Sequence, residues 1–221
     1  MFHAYDSSKS SLLGAAKVLH HPGYDLLMID FRGSGGSSGN VTSIGCLEAN
    51  DVAACVQYAR EHLMSSPQPL VLFGQSMGAA AIVRAVGDLG VAPDAIILES
   101  PYDRLFSTVT HRFSAMHLPS FPLAHLLMFW AGVQQGYWAF DMNPADSASR
   151  VRCPALMFHG ALDARVTTTE AKNVFDHLAG PKQFELFENG AHAAFLLADK
   201  QRWARCVEVF LNRYAPAKQP Q

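Results

Sequence analysis

The sequence predicts an α/β protein with a mostly parallel central sheet, helices on both sides and a small helical cap. Two observations predict this fold class. Short apolar runs that suit buried strands alternate along the chain with longer segments whose apolar residues recur at helical spacing. One of these runs, residues 70–73, leads through a glycine-containing turn into a segment rich in helix formers from Ala79 onward. Such alternation implies βαβ units, whose parallel strands are covered by helices on both faces.

The composition is that of one folded domain, which we predict to span residues 1–221. Hydrophobic residues make up 49% of the chain and charged residues 16%, which argues against disorder. The net charge of −2 provides no basic field, so nucleic acid is not expected as a partner. No apolar run is long enough to span a bilayer, so this chain is expected to have no membrane span. The cysteines lie far apart without a CxxC motif, which favours reduced thiols in a cytoplasmic protein over zinc or disulfides: Cys46, Cys55, Cys153 and Cys206.

The first half of the chain predicts a helix, a strand, a loop and a second helix. Apolar residues from 12 to 19 recur at helical spacing, and the breakers at 20–23 end that helix. A buried strand is predicted at residues 26–29, followed by a glycine-rich loop at 30–39. This loop lacks the lysine of a phosphate-binding P-loop, and more loop follows it instead of a helix, which argues against dinucleotide binding. A helical stripe then covers residues 44–63 and ends near residues 65–67.

After the strand at 70–73 and its helix, the second half predicts three more strands and a cap. Residues 95–98, 154–158 and 183–187 are the strand candidates. Residues 103–150 carry no strand signal, are rich in aromatic side chains and are broken into short helices by Pro119 and Pro122. Helices are also predicted around residues 168–178 and over the stripe from Leu196 to Tyr214, before a polar tail at 215–221.

The turn after the strand at 70–73 reads Gly74-Gln75-Ser76-Met77-Gly78, which fits the G-x-S-x-G nucleophile elbow. In such an elbow a sharp turn holds the serine in a strained conformation with its hydroxyl above the sheet. The two glycines remove side chains that would collide with the turn and with neighbouring strands. The following helix directs amide groups and a positive dipole end at a developing oxyanion. Ser76 is therefore the predicted nucleophile.

A serine hydroxyl needs a base within hydrogen-bond reach, and that base needs an orienting carboxylate. Asp163 follows the strand at 154–158, and His192 follows the strand at 183–187. Both lie at the same edge of a parallel sheet as Ser76, in the chain order serine, acid, histidine. Glu99 also follows a strand and is the alternative acid.

The other histidines are assigned less direct roles. His159 precedes Gly160 at a strand end and is expected to brace the loop of Asp163. His111, His117 and His125 have no carboxylate or cysteine at ligand spacing, so we expect surface or cap residues and no metal.

An oxyanion formed at Ser76 needs backbone donors. The amide of Met77 follows the nucleophile, and the loop His3-Ala4-Tyr5 is expected to supply the second donor through the amide of Tyr5.

The combination of these motifs resembles an α/β-hydrolase fold serine hydrolase of the esterase/lysophospholipase-like group. The resemblance covers almost the whole chain and implies catalysis by Ser76, Asp163 and His192 without a metal or organic cofactor. It also implies that Arg32 and the loop at 33–39 are mainly structural. The motifs that carry it are His3-Ala4-Tyr5, Asp30-Phe31-Arg32-Gly33-Ser34-Gly35, the elbow, residues 154–163 and Gly190-Ala191-His192.

The amino-terminal region departs from that family pattern in two ways. Ala4 stands where the family usually has glycine, which affects the geometry at the amide of Tyr5. Only Met1 and Phe2 precede His3, where the family has a full central strand. A sheet without that strand leaves unpaired backbone groups on both neighbours, so we expect a truncated chain, a mis-assigned start or an unusual repair of the gap.

The predicted reaction is hydrolysis of a small-molecule carboxylic ester or thioester through an acyl-enzyme. The apolar cap predicts an acyl or aromatic group in the substrate, although packing within the cap explains these side chains equally well. A peptidase of the same fold and a truncated, non-catalytic binding domain are the alternatives.

Overall fold

The computed structural model describes residues 1–20, 23–64, 68–193 and 195–217. Four parallel strands form the central sheet in the order β1 (Val71–Gln75), β2 (Ala95–Glu99), β3 (Ala155–Gly160) and β4 (Lys182–Phe187). The predicted parallel sheet is confirmed. The predicted helix ends at residues 21–22 and 65–67 lie outside the described residues, as do residues 218–221 of the tail.

The helices follow in chain order and cover both faces of this sheet. They are α1 (Leu13–His20), α2 (Glu48–Tyr58), α3 (Met77–Asp88), α4 (Leu105–Ala115), α5 (Leu123–Gln135), α6 (Pro144–Ala148), α7 (Thr168–His177), α8 (Phe195–Ala198) and α9 (Lys200–Tyr214). A 3-10 turn precedes α1 at Lys9–Leu12, a π-helical turn extends α2 over Ala59–Leu63, and another 3-10 turn lies at Ala139–Asp141. None of the helices within the described ranges is long and apolar enough to cross a bilayer.

Successive side chains of the strands point to opposite faces of the sheet and belong to two buried clusters, one on each face. Leu72 and Met157 belong to the cluster under α2 to α7, whereas Phe73 and Leu156 belong to the cluster under α1, α8 and α9. This alternation follows from the two-residue period of a strand. Because both faces are covered, β2 and β3 are fully buried and read as continuous apolar runs in the sequence.

The first residues of the chain extend the sheet beyond β1. Phe2 forms parallel bridges to Gly74 of β1 on one side and to Ile29 on the other. The amide of Phe2 donates to Phe73 O at 2.9 Å, and the amide of Gln75 donates to Phe2 O at 3.1 Å. This short segment therefore satisfies backbone groups on the edge of β1 that were expected to be unpaired.

The strand predicted at residues 26–29 is wrong in extent, because the structure has only the single bridge at Ile29. Two hydrogen bonds accompany that bridge, from the Met1 amino group to Leu27 O at 2.7 Å and from the Ile29 amide to Met1 O at 3.5 Å. The pairing of this segment is therefore confined to Met1 and Phe2 on one side and Leu27 and Ile29 on the other.

The segment between β2 and β3 is helical, and its middle helix turns large apolar side chains outward. Helix α5 buries Ala124, Met128 and Gly132. Its exposed face carries larger apolar residues, namely Leu123, Leu126, Leu127, Trp130 and Val133. Ala124 and Gly132 are small and allow α5 to approach the rest of the cap closely. The bulky side chains on the other face are exposed and therefore contribute little to the core.

Candidate active site

Ser76 lies in the sharp turn between β1 and α3 with φ 50° and ψ −111°. A positive φ combined with a negative ψ is a conformation that non-glycine residues rarely adopt, so the strain expected of an elbow is present. A Cβ atom on Gly74 would lie 2.7 Å from Ala79 N, and one on Gly78 would lie 2.4 Å from Phe2 O. Both glycines are thus required by close backbone approach, as the sequence predicts.

The structure brings the three predicted residues together from the ends of β1, β3 and β4. His192 Nε2 lies 2.8 Å from Ser76 Oγ, and His192 Nδ1 lies 2.7 Å from Asp163 Oδ2. Since an ionised carboxylate only accepts hydrogen bonds, Nδ1 carries the proton and Nε2 is free to accept from the serine hydroxyl. This is the arrangement needed for a base that takes the proton of Ser76.

The second oxygen of Asp163 fixes the acid in place. Oδ1 accepts hydrogen bonds from the amides of Arg165 at 2.9 Å and Val166 at 3.0 Å. Burial opposes ionisation of Asp163, but the hydrogen bond and charge of His192 and these two amides outweigh it and lower the pKa of the carboxyl below its usual value. Asp163 is therefore a carboxylate at neutral pH.

A capping box anchors the helix that follows the acid loop. The Thr167 hydroxyl accepts from the Glu170 amide at 3.2 Å, and Glu170 Oε2 accepts from the Thr167 amide at 2.8 Å. This reciprocal pair starts α7 immediately after Val166 and so fixes the point at which the loop of Asp163 ends.

Glu99 does not reach His192. Its Oε1 accepts from Trp203 Nε1 at 2.6 Å, and its Oε2 accepts from Gln75 Nε2 at 2.8 Å. With Ser76 itself, the hydrogen bond is made by the backbone of Glu99, whose carbonyl accepts from the amide of Ser76 at 2.7 Å. Burial raises the pKa of the Glu99 carboxyl to about 7, and the two hydrogen bonds only partly offset that effect.

Glu99 makes the folding stability depend on pH. Its pKa of about 7 in the folded protein exceeds the ordinary value of 4.5, so the folded state holds a proton that the unfolded chain releases in between. The stability from this group is fully present below pH 4.5 and is lost as the pH rises to about 7. That loss is on the order of 3 kcal/mol.

We expect Glu99→Gln to remove this pH dependence, because a glutamine amide does not titrate. The new side chain can still accept from Trp203 and, if the amide of Gln75 flips, donate to Gln75. Urea unfolding at several pH values between 4.5 and 8 measures the pH dependence. The difference in unfolding free energy between variant and wild type should increase with pH across this range. A constant difference would show that Glu99 does not titrate there.

A second serine–histidine pair lies nearby but has no access to solvent. Ser100 Oγ is 3.3 Å from His159 Nδ1, and both residues are fully buried. His159 Nε2 has no hydrogen-bond partner among the described residues, and burial lowers the pKa of this imidazole. The hydrogen bond of His159 thus goes to Ser100 rather than to the loop of Asp163, contrary to the predicted bracing role.

The loop expected to supply an oxyanion donor is anchored by His3, a role that no motif in the sequence predicts. His3 is fully buried, its Nδ1–H donates to Ala4 O at 2.7 Å, and its Nε2 accepts from the amide of Phe31 at 3.0 Å. Because Gly78 contacts the backbone of Phe2, this loop lies against the start of α3. The donor roles of Met77 and Tyr5 stay predictions.

A cavity of about 500 Å³ opens above Ser76 and His192. Its apolar lining comes mostly from small side chains, and its uncharged polar lining includes Tyr102 and Thr108. The charged residues of the lining are Asp6, Arg112 and Arg165. Within the described residues, the large cap aromatics such as Phe106 and Trp130 do not line it. The cap aromatics therefore pack elsewhere or face solvent, which favours the packing explanation for those side chains.

Arg32 has the structural role that the resemblance implies. Its guanidinium contacts Asp51 through Nε at 3.0 Å and Nη2 at 2.6 Å, and its amide donates to the same carboxylate at 3.2 Å. Asp30 organises the loop by accepting from the amides of Gly36 and Lys9, which lower the pKa of its carboxyl to about 2. Neither Arg32 nor Asp30 lines the cavity over Ser76.

The cap histidines are dispersed. His111 Nδ1 lies 3.6 Å from Glu170 Oε1, and His125 packs edge-on against Phe106 with ring centroids 4.7 Å apart. In the described part of the chain, no three His, Cys, Asp or Glu side chains are grouped so as to hold a metal ion.

A parallel sheet with a serine at a strained strand-to-helix turn, next to a histidine and an aspartate, defines a hydrolase of the α/β-hydrolase fold. The sequence profile of the prolyl oligopeptidase family (peptidase family S9) matches residues 11–216. The chain therefore belongs to this family.

Relatives and solved structures are consistent with this assignment. The chain is 26% identical over 208 residues to the uncharacterised YqkD of Bacillus subtilis, covering 91% of this chain and 68% of that protein. It is 31% identical over 186 residues to the lysophosphatidylserine lipase ABHD12 of Danio rerio, covering 81% of this chain but only 45% of the lipase.

Among solved structures, the Pyrococcus furiosus esterase Pf2001 superposes with a TM-score of 0.78 at 21% identity, covering 97% of this chain and 80% of that one. A monoacylglycerol lipase from Paleococcus ferrophilus gives 0.70 at 16% identity, with 96% and 92% covered. At these identities, the similarity shows the shared fold.

Proposed function

We propose that this protein is a serine hydrolase that cleaves carboxylic esters through an acyl-enzyme on Ser76. The observation that carries the proposal is the continuous chain of hydrogen bonds from Ser76 through His192 to Asp163 beside the cavity. A thioester, whose carbonyl reacts by the same steps, is the finer alternative within this proposal.

The geometry supports a two-step reaction. Ser76 Oγ attacks the ester carbonyl while His192 Nε2 takes the hydroxyl proton, and the Asp163 carboxylate stabilises the resulting imidazolium. The amides of Met77 and Tyr5 bind the oxyanion of the tetrahedral intermediate. The bond to the leaving alcohol then breaks, and His192 returns its proton to the departing oxygen. A water molecule repeats the sequence on the acyl-enzyme and releases the carboxylic acid and free Ser76.

Proteins similar to this chain include an esterase, a monoacylglycerol lipase and a lysophosphatidylserine lipase. This similarity favours an ester as the substrate. A peptidase is the second candidate, favoured by the name of the family whose profile matches. The triad chemistry is the same for both, and the leaving group distinguishes them, since an amide nitrogen must be protonated before it departs.

The test is a panel of p-nitrophenyl acetate, butyrate, octanoate and laurate, run beside peptide p-nitroanilides. We expect ester hydrolysis by the wild type, a preference among acyl lengths set by the cavity, and no activity of Ser76→Ala. Cleavage of the anilides alone would favour the peptidase. Folded wild-type protein that cleaves neither class would favour the non-catalytic binding domain, and equal cleavage of all esters would argue against an acyl pocket.

A further inference from the structure

Two arginines from different parts of the chain border the cavity over Ser76. Arg112 comes from α4 in the cap, and Arg165 comes from the loop after β3. Both side chains are exposed. Over residues 1–20, 23–64, 68–193 and 195–217, neither forms an ion pair with a carboxylate, in contrast to Arg32 and Arg202. Their positive charges are therefore available to a ligand.

Each arginine is tied to a part of the proposed reaction site. The guanidinium of Arg112 lies 4.9 Å from the centroid of the Tyr5 ring, which holds it by a cation–π contact next to the expected oxyanion donor. The amide of Arg165 donates to Asp163 Oδ1 at 2.9 Å, which fixes the backbone of this residue at the acid. Both guanidinium groups thus extend from positions beside the triad.

The balance of charge around the cavity is positive. Asp6 is the carboxylate that lines it among the described residues, while Asp163 is covered by His192 and is not part of the lining. Glu170 Oε1 lies 3.6 Å from His111 Nδ1, and Glu170 is not part of the lining. The sequence between Asp103 and Asp141 contains no Asp or Glu, although it carries Arg112 and three histidines. A cavity with this lining attracts and orients anions.

We propose that the substrate carries an anionic group, a carboxylate or a phosphate, which Arg112 and Arg165 bind while its ester carbonyl lies at Ser76. The inference rests on the proposed function and adds the substrate class. Guanidinium groups present a planar set of donors that matches both anions, and they keep their charge at any working pH. The anion can lie on the acyl side or on the alcohol side of the ester, and matched substrates distinguish these two sources.

The experiment compares two pairs of esters, and the members of each pair differ by one anionic group. The acyl-side pair is mono-p-nitrophenyl glutarate and p-nitrophenyl pentanoate. The alcohol-side pair is glycerol phosphate monobutyrate and glycerol monobutyrate. Hydrolysis of this second pair is measured by the release of acid. For at least one pair, we expect a higher kcat/KM for the anionic member in the wild type, and the pair that shows it identifies the side.

Arg112→Gln combined with Arg165→Gln should lower kcat/KM for that anionic ester by about 10-fold to 100-fold more than for its neutral partner, because charged hydrogen bonds are lost. Arg112→Lys with Arg165→Lys should restore part of the preference. Arg205→Gln, at an exposed arginine of α9 away from the cavity, is the matched control and should change neither rate.

The outcomes separate the two proposals. If the wild type cleaves neutral esters but shows no preference for an anionic member, the anionic subsite is overturned and the hydrolase proposal stands. The same conclusion follows if the double glutamine variant loses kcat/KM equally for both members of a pair. A folded wild type that cleaves no ester of either pair and is not modified by a fluorophosphonate overturns both.

Discussion

Replacing Asp163 with asparagine is expected to lower kcat for ester hydrolysis by about 10⁴-fold. The carboxylate accepts the Nδ1–H of His192 at 2.7 Å and the amides of Arg165 and Val166. An asparagine that turns its NH₂ toward Nδ1 selects the wrong imidazole tautomer and leaves the imidazolium without a counter-charge. Steady-state kinetics with p-nitrophenyl butyrate measure the loss, and urea unfolding checks that the variant is folded.

Glu99→Gln is the matched control for Asp163→Asn. It removes the carboxyl group at the end of β2, near the elbow, and it should leave kcat close to the wild-type value because the Glu99 side chain pairs with Gln75 and Trp203. If Glu99→Gln reduced kcat as severely as Asp163→Asn, or if Asp163→Asn retained full activity, Asp163 would not be the acid of this site.

Gly78→Ala is expected to damage both stability and activity. The added Cβ would lie 2.4 Å from Phe2 O and 2.8 Å from His3 O, which are backbone atoms of the segment that pairs with β1. Relieving that overlap costs about 1–3 kcal/mol or more of unfolding free energy. It also moves the loop of Tyr5 away from Ser76, and loss of one oxyanion donor lowers kcat by about 10²-fold to 10³-fold.

Gly36→Ala provides the comparison for Gly78→Ala. A Cβ on Gly36 meets only Asp30 Oδ2 at 3.7 Å, which is an ordinary contact, and this glycine does not have a positive φ. Unfolding in urea and kcat on p-nitrophenyl butyrate should therefore stay near wild type for Gly36→Ala. If Gly78→Ala were equally mild, the close approach of the first loop to α3 would not govern the site.

Sequence patterns predict the parts of the structure that depend on local chemistry. The two central strands are recognisable because burial on both faces requires runs such as Ala95–Glu99 to be almost entirely apolar. The edge strand Lys182–Phe187 is less buried, and its polar and apolar residues alternate instead. The polar residues at the carboxyl ends of the strands predict which side chains meet, and Ser76, Asp163 and His192 do meet. The strained conformation of Ser76 follows from the two glycines around it.

Features that depend on contacts between distant parts of the chain are not predictable in this way. Glu99 is a buried structural carboxyl because Trp203, 104 residues later, donates to it. The limited extent of the strand at residues 26–29 depends on its pairing with Phe2, a residue distant in sequence. Arg112 and Arg165 border one cavity only because the cap and the acid loop meet there. Composition alone gives none of these pairings.

Labelling with a fluorophosphonate probe tests the central claim most directly, because the probe modifies a serine only when a neighbouring base activates it. Intact-protein and peptide mass spectrometry should show a single adduct on Ser76 in the wild type, no adduct in Ser76→Ala and a strongly slowed reaction in Asp163→Asn. Folded wild-type protein that does not react, or an adduct that persists on another residue such as Ser100 in Ser76→Ala, would contradict the assignment of Ser76 as the nucleophile.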